Sequence, residues 1–493
     1  MPVVSLPHTH MRPLPPLRQF PSRPFAALAV LAVLALPATA LGAARPGQAG
    51  KPVTAAGALV QLPGASGCLV DRSVTHSPCA RARALEEPAP LLGSRAVALS
   101  PDGKNLYVAS AASDAIAVFA RDARSGKLTQ LKGAGGCVAA KGAGGCAPAI
   151  GLNGPNSVAV SPDGRNVYVT SLVSEAVTVF DRNRTTGALS QLPGGGGCIS
   201  GLAFPGCTNG RALVGPDVIL ASPDGDNVYV GSFFGNAVAV FNRDPSSGAL
   251  TQPGGSGGCL AEAASGGCAT GLALDSIEGM AISGDGKSLY LGAAVSEAVV
   301  VLARNPSSGA LTQGTGGSGC IVTVPLAGCT TGAQLNGADA VAVSRDDSDV
   351  YATSLFSKSV TSFTRSTSSG LLTQKSGAAG CLVFLRATGC SLGRAVSAPE
   401  GLTVSPDGAD VYVASYAPGT IAVLKRNRRS GAVAQLPLRA GCVGPVPDCS
   451  PARALSGVGS LVLSPDGRYL YAAAAKSDAI AIFRRVARQP RSG

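Results

Sequence analysis

The chain has 493 residues, 45% of them hydrophobic and 14% charged, with 65 glycines, 14 cysteines, no tryptophan and a formal net charge of +12. That apolar share excludes a disordered chain. No aromatic residues interleave with the arginines, so nucleic acid is not expected as a partner, and the abundant glycine points to many turns between short strands.

The chain opens on a segment with the pattern of a targeting signal. Arg12, Arg18 and Arg23 form a basic stretch, residues 25–36 are apolar, and Ala38, Thr39, Ala40 and Ala43 offer small side chains for cleavage. The competing reading is a retained anchor over 25–43, but Pro37 interrupts it and alanine dominates it, so a cleaved signal peptide at 1–43 is expected. Its removal lowers the formal charge from +12 to +9. Nothing later is long enough to span a bilayer. The expected location is therefore secreted, or the cell envelope or periplasm.

After a linker at 44–56 the cysteines take over the pattern. They fall into seven pairs: Cys68/Cys79, Cys137/Cys146, Cys198/Cys207, Cys259/Cys268, Cys320/Cys329, Cys381/Cys390 and Cys442/Cys449. From Cys137 to Cys442 the first member recurs every 61 residues, which marks one unit copied around an array. Metal ligation would need two close pairs converging. Here each pair stands alone in a glycine-rich segment, so in an oxidising compartment the pairs read as disulfides.

One copy contains apolar runs at 156–161, 166–171 and 176–180 and a last run, Gly-Ala-Leu-Ser-Gln-Leu, at 187–192. Each has the composition of a strand. The Ser-Pro-Asp-Gly string around Asp102, Asp163, Asp224, Asp407 and Asp466 predicts a hairpin turn between the first two. At Asp346 the glycine is replaced by Asp347, and that turn is expected to be looser. Four antiparallel strands per unit, seven times over, predict an all-β fold, a seven-bladed β-propeller occupying 57–485, with a basic tail at 486–493. The last copy lacks its fourth strand, and an orphan Gly-Ala-Leu-Val-Gln-Leu at 57–62 precedes the first. This predicts a three-plus-one clasp in which 57–62 pairs beside 479–483.

The strings Val-Tyr-Val-Thr-Ser, Ser-Pro-Asp-Gly and Gly-Ala-Leu-Ser-Gln-Leu resemble the YVTN-repeat, lactonase-type propeller family across the mature chain. The family's Asn after Tyr-Val-Thr is Ser171, Ser232, Ser354 or Ser415 here. The resemblance implies His, Glu and Arg at the channel mouth. By position only Arg95 with Glu278 or Glu400 matches, as candidate catalytic residues. No histidine enters an inner strand, and His76 lies in the first disulfide loop.

Comparison of equivalent positions places Arg95, Asn156, Asp217, Glu278, Asp339, Glu400 and Gly459 at the start of successive inner strands. Four like charges on a narrow ring raise one another's pKa. Asp217, Glu278, Asp339 and Glu400 are thus candidate ligands for Ca²⁺, with Asn156, Asp217 and Asp339 as binding residues; the alternative is a hydrated funnel with Arg95 pairing its neighbours. A second ring, Asp114, Glu175, Asn236, Glu297, Lys358, Gly419 and Asp478, is expected on the same top face, with the disulfide loops around it. The opposite face carries a basic rim, exemplified by Arg182, Arg184, Arg426, Arg428 and Arg429, suited to an anionic envelope polymer. The chain contains no GxSxG, HExxH or phosphate-loop motif. Together these features favour an exported, monomeric, non-enzymatic binding scaffold with an unidentified ligand at the channel mouth. The alternative is a lactonase-like, ring-opening hydrolase built on the acidic arc, with or without Ca²⁺.

Overall fold

A computed structural model describes residues 54–88, 95–263 and 266–488. The expected signal peptide and the end of the basic tail lie outside them. Within each repeat, local turn chemistry decides where the chain reverses. In the second copy Ser161 Oγ donates to Asp163 Oδ1 at 2.6 Å, the same oxygen accepts from Arg165 N–H at 3.0 Å, and Gly164 takes the left-handed φ of 67°. The chain therefore folds back from Pro155–Val160 into Asn166–Ser171, and then into Ala176–Arg182. The turn at Asp347 is not looser. Asp347 itself adopts φ 57°, and its carboxylate accepts from the N–H groups of Gly284 and Asp285 in the preceding blade, at 2.7 and 3.1 Å.

The fourth strand position is split, a departure from four plain strands. Leu189–Gln191 pairs with one end of Ala176–Arg182 and Cys198–Ser200 with the other, the turn Gly194–Gly197 lying between them. Thr208–Asn209 then adds a short parallel edge strand.

All seven disulfides join the pairs read from the spacing: Cys68–Cys79, Cys137–Cys146, Cys198–Cys207, Cys259–Cys268, Cys320–Cys329, Cys381–Cys390 and Cys442–Cys449. They lie beside the second ring, as expected of loops around the top face: Gly201 N–H donates to the Glu175 carbonyl at 2.8 Å and Thr323 N–H to the Glu297 carbonyl at 3.1 Å. Each bridge lies at the outer edge of its sheet, where the first cysteine pairs with the third strand (Cys198 opposite Thr178). The second cysteine stands at the parallel edge segment. Cys79, Cys146, Cys207, Cys268 and Cys390 each immediately precede that strand, and Cys329 begins it. Cys449 precedes Ser450, which makes only a single parallel bridge to Val443. The bridges therefore staple the edge segment to the sheet and line no part of the channel mouth. Among the described residues no cysteine is free to ligate a metal.

Seven such sheets form a ring, and no α-helix occurs among the described residues. Each inner strand packs on the next, and Val458–Leu463 packs back on Val97–Leu99. Closure uses the N-terminal strand: Leu59–Gln61 pairs with Phe483–Arg485, and Cys68–Asp71 with the same strand's other end. The clasp is thus the expected one, shifted toward Arg485.

The middle strands are buried along their whole length, and tyrosine fills the same position in every blade, from Tyr107 and Tyr168 to Tyr471. Packed sheets alone would leave the tyrosine hydroxyls unpaired, a costly state for a buried polar group. An arginine ending the third strand of the next blade resolves this. Arg182 donates through Nε to Tyr107 at 2.7 Å, through Nη1 to Gly164 carbonyl at 3.0 Å and through Nη2 to Asp102 at 3.2 Å, while Tyr107 donates to Gly187 carbonyl at 2.9 Å. The pattern recurs at Arg121, Arg243, Arg304, Arg365 and Arg426. Arg182 and Arg426 are consequently buried seam residues and not part of a basic rim; Arg184, Arg428 and Arg429 remain exposed.

Candidate functional site at the channel mouth

The residues that enter the inner strands sit on β-bulges. In blade after blade the register with the second strand slips there: between Pro155 and Ser157, Pro216 and Val218, Ile277 and Gly279, Ala338 and Val341, and Pro399 and Gly401. A bulge re-aims its side chain out of the strand's alternation. Asn156 accordingly turns along the seam, donating through Nδ2 to Asp217 Oδ1 at 2.7 Å and accepting from Thr170 Oγ1 at 2.9 Å. Asn156, Asp217, Glu278, Asp339 and Glu400 are all at most 4% exposed.

This burial dominates the electrostatics. Desolvation, then repulsion from Glu278, holds Asp217 well above the carboxylate range, opposed by the Asn156 hydrogen bond. Asp339 is raised by desolvation and by Glu278, Glu400 and Asp217. Glu400 is raised by desolvation and Glu278, and relieved in part by Lys476. Desolvation pushes Glu278 up to about 8. Both oxygens of Asp339 and Glu400, and Oδ2 of Asp217, are sealed without a hydrogen-bond donor. Glu278 is absent from this sealed set. At neutral pH the arc therefore holds protons, since so many adjacent buried carboxylates cannot all ionise.

Two expectations for this site are not met. Among the described residues no group of three or more His, Cys, Asp or Glu side chains is placed to hold a metal ion. Asp339 lies near enough to Asp217, Glu278 and Glu400 to be raised by all three, yet the four do not form a donor set that fits the Ca²⁺ expected from sequence. Arg95 also makes no ion pair with the arc among the described residues. Its Nη2 donates to the Val341 carbonyl at 3.2 Å, across the channel.

The second ring proves to be a turn position. Asp114, Glu175, Asn236, Glu297, Lys358 and Asp478 all have φ between 45° and 51°. Asp114 accepts from Gly154 N–H at 2.7 Å and Asn236 from Ser276 N–H at 3.0 Å, tying each loop to the next blade. His76 is exposed in its loop. Sequence reading missed Lys476 and Tyr416, loop residues of the top face. The Lys476 ammonium lies 4.8 Å from the Tyr416 ring centre, and burial followed by the charges of Glu400 and Glu87 pushes the Tyr416 hydroxyl up to about 12. Both belong to loops outside the common repeat strings, so periodicity carried no signal for them.

Residues 84–140, which include Arg95 and the first blade as far as its strand Cys137–Ala140, match the family described as lactonase, 7-bladed beta-propeller. The fold is a seven-bladed propeller. Among solved structures the chain is similar to a candidate 6-phosphogluconolactonase from Bacteroides uniformis, with 19% identity, 69% of this chain and 82% of that chain covered, and a TM-score of 0.49. It is similar also to the periplasmic gluconolactonase of Pseudomonas aeruginosa, with 19% identity, coverage of 69% and 83%, and a TM-score of 0.46. A third likeness is to hydrazine synthase of Kuenenia stuttgartiensis, with 18% identity, coverage of 80% and 97%, and a TM-score of 0.45. Likenesses at this level speak for neither ligand nor reaction. No curated protein matches the chain.

Proposed function

We propose that this lactonase-type propeller is an exported hydrolase that opens a lactone ring at its acidic arc. The observation that carries the reading is Glu278, the arc member outside the sealed set, flanked by Asp217 and Asp339 and pushed up to about 8. A carboxylate of that basicity takes a proton from water far more readily than an ordinary one. The resulting hydroxide adds to the lactone carbonyl carbon. The ring acyl C–O bond then breaks, and the proton held by Glu278 passes to the departing alkoxide, leaving a hydroxy acid. Burial raises Glu278, and Glu278 in turn helps keep Asp217 and Asp339 protonated. The match at residues 84–140 supports the same reading, and the seven disulfides support export to an oxidising compartment.

The test is a pH-stat assay with glucono-δ-lactone and alkyl γ- and δ-lactones. Turnover is expected to rise with pH through about 8, following Glu278, and Glu278→Gln is expected to lose on the order of 100-fold in kcat, the scale of a general base. A purified, folded protein that leaves every lactone at its buffer rate overturns the proposal. The binding-scaffold reading, favoured by the sealed oxygens of Asp339 and Glu400, would then stand. Its ligand contacts would be sought at the channel mouth and at Arg184, Arg428 and Arg429.

A further inference from the structure

The seam between the blade that closes the ring and the first blade carries a charge that the repeat does not explain. A groove of about 540 Å³ lies there, at the outer edge of the two sheets. The outer strands Cys68–Asp71 and Ala80–Ala82 and the residues that follow them contribute Arg72, Arg81 and Arg83 to its lining. Lys127 and Lys132 come from either side of the strand Leu128–Gln130. No Asp or Glu lines the groove. Its two sides are held together by Gln130, whose side-chain amide accepts from Arg83 N–H and donates to the Arg83 carbonyl, both at 2.9 Å.

The 61-residue period separates scaffold from exception here. Arg83 is scaffold: arginine recurs as Arg211, Arg394 and Arg453, and its guanidinium is spent on the carbonyls of Gly133, Gly144 and Gly145. The other four cations are exceptions. Lys127 stands where the other blades have alanine or leucine, and Lys132 where they have proline, glycine, threonine or serine. Arg81 replaces proline, asparagine, threonine or leucine, and Arg72 is matched only by Lys141 among otherwise apolar residues. Positions from two blades thus depart from the repeat at one place, and in the same direction. All four side chains are exposed, and among the described residues none makes an ion pair. The acids nearest in sequence already accept from main-chain donors, Asp71 from Ser73 and Leu85 and Asp122 from Arg124 and Ser125. Unpaired charges of one sign in a groove raise the local concentration of the opposite ion.

We propose that this groove binds one chain of linked phosphate groups, its oxygens bridging Arg72 and Arg81 of one blade to Lys127 and Lys132 of the next. Charge density selects the ligand. A phosphate chain brings a negative charge at every phosphorus, whereas a uronate polymer brings one per sugar ring, and arginine grips phosphate oxygens bidentately. No aromatic side chain lines the groove to stack a nucleobase, so a bare chain fits it better than a nucleic acid. The proposal does not depend on lactone hydrolysis.

Isothermal titration of the purified protein with tripolyphosphate in metal-free buffer tests it, with orthophosphate, trigalacturonate and oligothymidylate as comparisons. Tripolyphosphate is expected to bind one to one, to raise the melting temperature and to weaken as salt rises. The three comparisons should bind at least ten-fold more weakly. Each variant carries residues that other blades hold at the same positions, so each is compatible with the blade fold. Lys127→Ala with Lys132→Ser should weaken tripolyphosphate ten-fold or more, and Arg81→Thr severalfold. Arg165→Ser with Lys287→Ser removes the same charge from exposed turns of other blades and should leave the affinity unchanged. No tripolyphosphate binding, or binding unaltered by Lys127→Ala with Lys132→Ser, would overturn the proposal. An equal loss in the Arg165 and Lys287 pair would also overturn it, because net charge alone would then account for the binding. Tighter binding of trigalacturonate or oligothymidylate would overturn it too, by assigning the groove to a carboxylated glycan or a nucleic acid.

Discussion

Arg182 donates a 2.7 Å hydrogen bond through Nε to the buried hydroxyl of Tyr107 in the preceding blade. The contact makes the ring more than a set of stacked sheets. Tyr107 hands its own proton on to Gly187 carbonyl in Arg182's blade, so six of the seven seams are fastened by one arginine and one tyrosine that share a hydrogen bond. At the last seam the N-terminal strand takes part: Tyr412 donates to Gly57 carbonyl at 2.7 Å, and Arg485 reaches Asp410 and Asp407 at 3.1 and 2.8 Å.

Removing Arg182 leaves Tyr107, the Gly164 carbonyl and Asn105 short of a donor in a buried seam. Arg182→Met, close in volume but without donors, is expected to destabilise the protein by about 3 kcal/mol. Tyr107→Phe, which removes only the hydroxyl, should cost less, about 1–2 kcal/mol. Urea unfolding of the two variants checks the order, and a reversed order would mean the arginine is held by its stem and not by its donors.

The clasp makes its own prediction at Gly57. Its φ is +89°, and a Cβ built there would lie 2.5 Å from the Asp410 carboxylate. Gly57→Val should therefore cost at least about 2 kcal/mol, combining backbone strain with the clash. The same change at Gly64, also at positive φ but with no atom within 4 Å of its Cβ, should cost only the strain. Thermal unfolding of both variants separates closure of the ring from local conformation.

Stability should peak at mildly acid pH. At the low end Asp102, Asp163 and their equivalents lie below the carboxylate range: burial opposes this, but hydrogen bonds from Ser100 and Ser161 and the charges of Arg182 and Arg243 prevail. Groups lowered in the folded state contribute stability above the unfolded pKa, and that contribution is lost as pH falls through the folded value. At the high end the arc is raised, with Glu278 at about 8 against an ordinary 4.5. Its contribution is complete below 4.5 and is lost as pH rises through about 8. Melting temperature should thus decline from pH 5 to pH 9, and more shallowly in Glu278→Gln. A flat profile over that range would mean the arc's carboxyls ionise normally.

The period of 61 residues made blade number, disulfide pairing and the clasp legible in the chain alone, because each depends on equivalence between copies. The same period held the seam: Arg121, Arg182 and Arg243 recur every 61 residues, as do Tyr107, Tyr168 and Tyr229. What the period lacks is direction. Arg182 ends a strand beside exposed turn residues, and only the packing of neighbouring sheets shows that its side chain turns inward. Spacing likewise pairs Cys198 with Cys207 but is silent on the edge strand that follows. The arc's composition, too, was readable and its geometry was not. Alternation does not foresee the bulges at Asp217, Glu278 and Glu400, nor the seam hydrogen bond from Asn156 to Asp217. The second ring was placed correctly beside the strand two-to-three loops, but its left-handed φ was not legible in the spacing.

The reading of the arc rests on Glu278 keeping its proton at neutral pH. A carbon-13 NMR titration of the side-chain carboxyls, with Glu278 assigned by its loss in Glu278→Gln, measures this directly. The account predicts a Glu278 carboxyl that titrates near 8, held there by burial, and little changed in Asp339→Asn, since Asp339 keeps its own proton while Glu278 titrates. A Glu278 carboxyl that titrates near 4.5, the ordinary value for glutamate, would contradict it.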